Sequence, residues 1–122
     1  MRDHRRLKAF ALADGLAIQV YRHTRTFPRE ETYGLVSQLR RAPVSVPTNI
    51  VEGCARRTEA EYLQFLNHAF GSLREVGYLF DLSHRLGFVP DDSHRQVTAE
   101  YNEAAQTLGA LLRSCAKARQ TT

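Results

Sequence analysis

Apolar side chains recur every three or four residues along most of this chain, which is the spacing of one face of an α-helix. Turn signals such as Phe27-Pro28 and Leu86-Gly87 interrupt the pattern and divide it into four segments. These segments cover residues 5–26, 28–53, 58–86 and 91–115. In the first segment the apolar stripe consists of Leu7, Phe10, Leu16, Val20 and Tyr21. The pattern predicts four helices.

The third and fourth segments carry matched apolar stripes. The stripes are Tyr62, Leu66, Ala69, Leu73, Val76 and Phe80 in the third segment and Val97, Tyr101, Ala104, Leu108, Leu111 and Cys115 in the fourth. Thr58 and Glu61 stand at the spacing of a capping box, which predicts where the third helix begins. Two matched stripes joined by a short turn predict an antiparallel helical hairpin. We therefore predict an all-α, antiparallel up-down four-helix bundle, formed as one domain by residues 1–122.

The second segment contains two prolines four residues apart, in the stretch RRAPVSVPTNIVEG. Local propensity leaves a loop and a helix about equally favoured, since an interior proline costs about 3 kcal/mol or more in a helix. Helical phase favours a helix, because these residues would then lie on one face of it: Leu35, Leu39, Pro43, Val46, Ile50 and Gly53. We predict a second helix that is kinked or interrupted at Pro43 and Pro47. The carbonyls of Leu39 and Pro43 would then need other hydrogen-bond donors.

Some apolar residues fall outside these predicted core faces. Val44 and Val51 point off the main face of the second helix, and Tyr78 and Leu82 fall on the polar side of the third. These residues favour a second buried surface created by self-association. The alternative is that they are the scattered exposed apolar residues that most proteins carry.

Composition and charge narrow the classes of function. The 122 residues are 43% hydrophobic and carry a net charge of +4, which is compatible with a polyanionic partner. We expect no signal peptide, because Asp14 and Gly15 interrupt the apolar run near the N-terminus. We expect no membrane association, because no apolar run is long enough to span a bilayer. Cys54 and Cys115 lack the spacing of a zinc site and the density of a disulfide scaffold. We therefore expect free thiols in a cytoplasmic protein.

The stretch SQLRRAPVSVPTNIVEGCARR, followed by EYLQFLNHAFGSLREV, resembles the four-helix-bundle family named for proteins encoded by intervening sequences in bacterial 23S rRNA genes. The matching motif is Ser37-Gln38-Leu39-Arg40-Arg41, Ser45-Val46-Pro47, Asn49-Ile50, Glu52-Gly53, Gly71-Ser72-Leu73 and Glu75. The resemblance implies a four-helix bundle that assembles as a ring-like homopentamer, with no settled biochemical activity. Pro43 departs from the family pattern. A related branch resembles accessory proteins of diversity-generating retroelements, which work with a reverse transcriptase and nucleic acid.

Two groups of basic residues are candidate contacts for the phosphates of RNA or DNA. They are Arg5, Arg6 and Lys8 near the N-terminus, and Arg40, Arg41, Arg56 and Arg57 on either side of the proline segment. A solvated tail explains the N-terminal group equally well. Few aromatic residues neighbour these arginines in the sequence, so stacking on bases is not predicted.

A set of polar residues around the prolines is interpreted as a structural or interface network. It comprises Ser45, Asn49, Glu52, Ser72 and Glu75, with Arg40 and Arg41 as further members. Gly71 and Gly77 lie inside the third helix, where glycine is costly, and so predict close approach of another helix.

The residue inventory argues against an enzyme. His4, His23, His68, His84 and His94 show no metal-ligand spacing, and no serine lies in a nucleophile elbow. We expect no catalytic residue, no metal and no cofactor. Two hypotheses follow from the sequence: an oligomeric nucleic-acid-binding protein, or an oligomeric scaffold with a protein partner and no nucleic-acid role.

Overall fold

The computed structural model describes residues 2–120 and contains four long helices. They are α1 (Lys8–His23), α2 (Ser37–Cys54), α3 (Glu59–Arg85) and α4 (Asp91–Gln120). Short 3-10 turns occupy His4–Arg6, Thr24–Thr26 and Arg29–Glu31, and a π-helical turn at Thr32–Val36 leads into α2. Residues 2–120 contain no strand, and none of their helices is both long and apolar enough to cross a membrane.

Local sequence signals explain where α3 begins and ends. The Oγ1 atom of Thr58 accepts a hydrogen bond from the Glu61 N–H at 3.2 Å, as the capping box predicted. The Glu61 carboxylate accepts from the Thr58 hydroxyl at 2.9 Å. At the other end Gly87 has a φ of 85°, which glycine adopts without strain. Its N–H and that of Phe88 bond back to the carbonyls of His84 and Ser83, as in a Schellman motif.

The four helices pack in sequence order around one core. α2 packs against α1 and α3, and α4 packs against α3 and α1, as the predicted bundle requires. All six stripe residues of α3 are buried, and Val97, Ala104 and Leu108 of α4 are buried against them. Tyr21 departs from the predicted stripe of α1: it is exposed, while Ala13 and Ala17 are buried instead.

Helix α2 continues as an α-helix through both prolines, so it is not interrupted at Pro43 or Pro47. The irregularity lies upstream, where Gly34 has non-helical angles of φ −108° and ψ −106°. Both proline rings are buried in the bundle, and this burial offsets part of the cost of the missing backbone donors.

Side chains of α2 bond to the carbonyls of the two residues that follow Pro43. Thr48 Oγ1 donates to the Val44 carbonyl at 2.7 Å, and Asn49 Nδ2 donates to the Ser45 carbonyl at 2.8 Å. These bonds run from each side chain to the carbonyl four residues earlier, along the helix axis. The polar residues of this segment therefore support the helix locally.

Two glycines mark places where helices approach closely. A Cβ atom on Gly53 would lie 2.9 Å from the Cβ of Phe65, which is fixed to the backbone of α3. A Cβ on Gly77 would lie 2.6 Å from the Tyr101 ring, so the prediction for Gly77 is confirmed. The prediction for Gly71 is wrong for this chain, because nothing lies within 4 Å of the corresponding position.

Replacing Gly53 with alanine should lower the free energy of unfolding by about 1–3 kcal/mol, because the added methyl group must push α2 away from α3. Gly71→Ala is the matched control, and it should raise stability by up to about 1 kcal/mol through helix propensity alone. Urea unfolding of the two variants measures both effects. Equal stability of the two variants would contradict the close packing at Gly53.

Candidate functional site

The predicted nucleic-acid-binding residues separate into two surfaces at opposite ends of the bundle. Arg40 and Arg41 lie in the first turns of α2, whereas Arg56 and Arg57 follow its last residue. The fourteen helical steps from Arg40 to Cys54, where α2 ends, already separate the two pairs by about 21 Å along the helix axis. The prolines lie between the two pairs of arginines. The distance between the pairs is too large for one small ligand to contact both on one chain.

The first surface, which we call the basic end, collects Arg5, Arg6, Lys8, Arg56 and Arg57. Its two chain segments meet because the Arg2 N–H donates to the Cys54 carbonyl at 3.1 Å. The fold thus brings the basic residues near the N-terminus close to the residues that follow α2. The two segments are far apart in the sequence, so this proximity could not be predicted from it.

Acidic residues neutralise part of the basic end. Arg5 pairs with Asp3 at 3.0 Å, and Lys8 pairs with Glu103 at 3.8 Å. The guanidinium of Arg56 lies 4.6 Å from the centroid of the Phe65 ring. Within residues 2–120, Arg6, Arg56 and Arg57 make no ion pair, so they are the cations left for an external anion.

Beneath the basic end, Arg2 and Tyr62 form a stacked pair. The Arg2 guanidinium pairs with Glu59 and lies 3.7 Å from the centroid of the Tyr62 ring. The hydrogen bond from Arg2 lowers the pKa of the Glu59 carboxyl. Burial raises the pKa of Tyr62 to about 12 and also raises the pKa of the Cys54 and Cys115 thiols. Both cysteines are free, as predicted, and burial favours their neutral form.

The second surface, which we call the arginine–tyrosine groove, lies where α1 ends and α2 begins. It encloses about 750 Å³ and is lined by Tyr21, Thr32, Tyr33, Val36, Ser37, Arg40, Arg41, Val44, Ser45 and Thr48. Tyr33 is 96% exposed. Arg40 is fixed, since its Nε donates to Thr24 Oγ1 at 3.1 Å and its guanidinium lies 4.5 Å from the centroid of the Tyr21 ring.

The aromatic character of this groove was missed in the sequence. Tyr21 and Tyr33 are 19 and 7 residues from Arg40. The pairing of α1 with α2 brings Tyr21 beside Arg40, and the π-helical turn places Tyr33 on the lining of the same groove. The expectation that aromatic residues are poorly placed beside the arginines is therefore wrong for Arg40.

A third surface, the apolar groove, continues from the arginine–tyrosine groove along α1 and α2. It encloses about 550 Å³, and its apolar lining consists of Phe10, Ala17, Ile18, Tyr21, Val44, Pro47 and Val51. Arg22 and Arg25, which belong to neither of the predicted basic groups, line it as well. Val44, Val51 and Tyr78 are exposed as predicted, whereas Leu82 packs partly buried against the core.

The structure gathers part of the predicted polar network. The hydroxyl groups of Ser45 and Ser72 lie 2.9 Å apart and link α2 to α3, and Asn49 Nδ2 donates to Ser45 Oγ at 3.0 Å. Glu52 and Glu75 are exposed on their helices. Neither glutamate forms an ion pair within residues 2–120, so the observed network contains Ser45, Asn49 and Ser72.

Comparisons with known proteins relate this chain to one protein family and to a solved structure. A family model described as 23S rRNA-intervening sequence protein matches residues 5–110. A similar solved structure is a protein of unknown function from the S23 ribosomal protein family of Bacteroides thetaiotaomicron, with a TM-score of 0.78 and 16% sequence identity. The alignment covers 86% of this chain and 95% of that one, and at this identity it shows a shared fold alone. No match is found among curated proteins.

The raised pKa of Tyr62 predicts a loss of stability at alkaline pH. An unfolded tyrosine ionises near pH 10, whereas Tyr62 in the folded chain stays neutral up to about pH 12. Between these two pKa values the unfolded state binds fewer protons than the folded state. The population of the unfolded state should therefore grow as the pH rises and fall as the pH is lowered. The free energy of unfolding should therefore drop by about 1.4 kcal/mol per pH unit across this window.

Urea unfolding of the wild type and Tyr62→Phe from pH 9 to pH 11.5 measures this contribution, because other titrating groups cancel in the difference. A stability difference between the two proteins that does not change with pH would show that Tyr62 is not shielded from solvent.

Proposed function

Since the chain belongs to the family of 23S rRNA-intervening sequence proteins, we propose that it is a non-enzymatic, oligomeric helical bundle of the cytoplasm that binds nucleic acid through the arginine–tyrosine groove. The observation that carries this proposal is the placement of Tyr33, which is 96% exposed and lines the same groove as Arg40 and Arg41. The family is defined by its association with rRNA-intervening sequences, which supplies no activity.

The groove has the two components of a site for single-stranded nucleic acid. Base stacking on an aromatic ring contributes about 1–3 kcal/mol per base and accepts any sequence. Tyr33 offers such a ring, and Tyr21 adds a second whose face is already covered by Arg40. Arg41 is exposed and forms no ion pair within residues 2–120, so its charge is available to a phosphate.

The basic end is the weaker candidate for the main contact. Arg5 and Lys8 are paired with acidic residues, and the ring nearest to Arg56 is the half-buried Phe65. Arg6, Arg56 and Arg57 supply additional phosphate contacts for a nucleic acid that extends along the bundle. Their charge strengthens binding without offering a surface on which bases stack.

Self-association through the apolar groove is the second part of the proposal. Ile18, Val44 and Val51 expose apolar surface in one continuous depression of α1 and α2. Burial of such surface stabilises association by about 25 cal/mol per Å² before its entropic cost. A second copy of the chain covers this face, in the ring of five that the family resemblance implies.

The alternative hypothesis is an oligomeric scaffold that presents a surface to a different protein and whose arginines bind no nucleic acid. The same exposed Ile18, Val44 and Val51 favour it. It differs from the main proposal in one measurable way, because the purified oligomer would not bind RNA or DNA at low salt.

The nucleic-acid proposal predicts that nuclease-treated protein binds a single-stranded RNA with an affinity that falls steeply as salt rises. Tyr33→Ala should weaken binding about 5- to 150-fold at every salt concentration, since one stacked base is lost. Arg41→Glu should also weaken it and reduce the salt slope by about 1. Fluorescence anisotropy against the RNA and a duplex DNA measures both.

Arg74→Glu is the matched control, because it makes the same charge change on an exposed position of α3. Equal weakening by Arg74→Glu and Arg41→Glu would mean that only net charge matters. A larger effect from the double variant Arg56→Glu/Arg57→Glu than from Tyr33→Ala would move the contact to the basic end. Absence of binding at low salt would leave the scaffold hypothesis.

The self-association proposal predicts that the wild type elutes as an oligomer several times the 13.9 kDa mass of the chain. Val51→Asp and Ile18→Asp should each shift it toward the monomer, because a carboxylate would be buried without a partner. Light scattering coupled to gel filtration measures the mass, and circular dichroism verifies folding. Leu86→Asp, at an exposed position just after α3, is the control and should leave the mass unchanged; a monomeric wild type would refute this part.

A further inference from the structure

Two aspartate–histidine pairs face each other where α3 ends and α4 begins. Asp81 and His84 are three residues apart in the last turn of α3, and Asp91 and His94 are three residues apart in the first turn of α4. Residues at this spacing share one helix face. The turn at 86–90 folds the two faces together, so each pair meets the other.

The contacts cross between the pairs. His84 Nε2 lies 2.7 Å from Asp91 Oδ1, and His94 Nε2 lies 3.3 Å from Asp81 Oδ1. The two imidazole rings are stacked with centroids 3.9 Å apart and an angle of 6° between their planes. One possible ligand atom from each of Asp81, His84 and His94 lies within 4.8 Å of the other two.

The surroundings hold these side chains in place while leaving them accessible. The side chains of His84 and His94 are 26% and 21% exposed. The ring of Phe80 is stacked parallel to His94 with centroids 6.3 Å apart, which supports its position from the core side. Two of the nearby cations are occupied: Arg85 donates to Asp81 Oδ2 at 2.9 Å, and Arg95 pairs with Asp92.

We propose that Asp81, His84 and His94 form a binding site for a divalent transition-metal ion of the zinc type. Two imidazoles and one carboxylate are a donor set that Zn²⁺ takes in proteins, with bonds of about 2.0–2.2 Å. Such bonds place tetrahedral ligands about 3.4 Å apart. The side chains must therefore draw together by up to about 1.4 Å and unstack, which partly exposed side chains at two helix ends permit.

Asp91 has a positioning role in this site. A metal-bound histidine commonly donates its other ring N–H to a carboxylate, which fixes the orientation of the ring. The contact between Asp91 and His84 is of that kind, and it leaves the second nitrogen of His84 for the metal. The His84 contact also lowers the pKa of the Asp91 carboxyl.

The site has room for a further ligand. Asp81 and His94 line a neighbouring pocket of about 410 Å³, together with Arg74, Tyr101 and Asn102. Three protein ligands leave one position of a tetrahedral zinc ion for water or another small donor. The metal also ties α3 to α4, so its binding raises the thermal stability of the hairpin.

Zn²⁺ titration of chelator-treated protein, in competition with a chromophoric chelator at neutral pH, tests the proposal. We expect one ion per chain. His84→Gln, His94→Gln and Asp81→Asn should each weaken Zn²⁺ binding at least tenfold, and Asp91→Asn should weaken it about 10- to 100-fold as a positioning residue. The matched controls are His68→Gln, an exposed histidine of α3, and Asp92→Asn, the carboxylate adjacent to Asp91; both should leave the affinity unchanged.

Imidazole ¹H–¹⁵N spectra of the wild type identify the ligands without any substitution. One equivalent of Zn²⁺ should shift the signals of His84 and His94 and leave those of His68 in place. Failure of the wild type to bind Zn²⁺ would overturn the proposal. Zn²⁺ binding that survives in both histidine variants would overturn it as well, since the ion would then be held elsewhere, for example by the thiols.

Discussion

The packing of α2 between α1 and α3 is the constraint on which the remaining features depend. α2 contains Pro43 and Pro47, which cannot donate backbone hydrogen bonds, yet it is continuous because both rings are buried in the bundle. Close approach at Gly53 brings its last turn against Phe65 of α3. The Ser45–Ser72 hydrogen bond fixes the same pair of helices at mid-height. The cost of the prolines is thus offset by tertiary contacts.

This packing decides which side chains of α2 face outward. With Pro43, Val46 and Ile50 committed to the core, Val44 and Val51 open onto the apolar groove. Arg41 opens onto the arginine–tyrosine groove. The π-helical turn before α2 places Tyr33 in that groove. Both proposed interfaces are therefore the outer face of the helix whose inner face holds the bundle together.

The ends of the bundle are organised by helix connections. Contact between Arg2 and Cys54 gathers basic residues at one end, and acidic partners neutralise part of their charge. At the other end the Gly87 turn sets α3 against α4 and crosses two aspartate–histidine pairs. Each grouping joins residues from different helices, and neither contributes to the hydrophobic core.

The sequence by itself determined the helices, their order and most of the core, because burial of an apolar face imposes a 3.6-residue period that is visible in one dimension. The stripe of α3 and the phase of α2 through its prolines are visible in this way, whereas the family motif is visible only as a resemblance. Only the tertiary structure decided that Tyr21 lies against Arg40, that Tyr33 lines the same groove, that Gly71 has no close neighbour, and that His84 meets His94. These side chains are half-exposed or exposed, so no periodic burial marks them. Their partners lie on other turns or helices, and helix packing alone sets those distances.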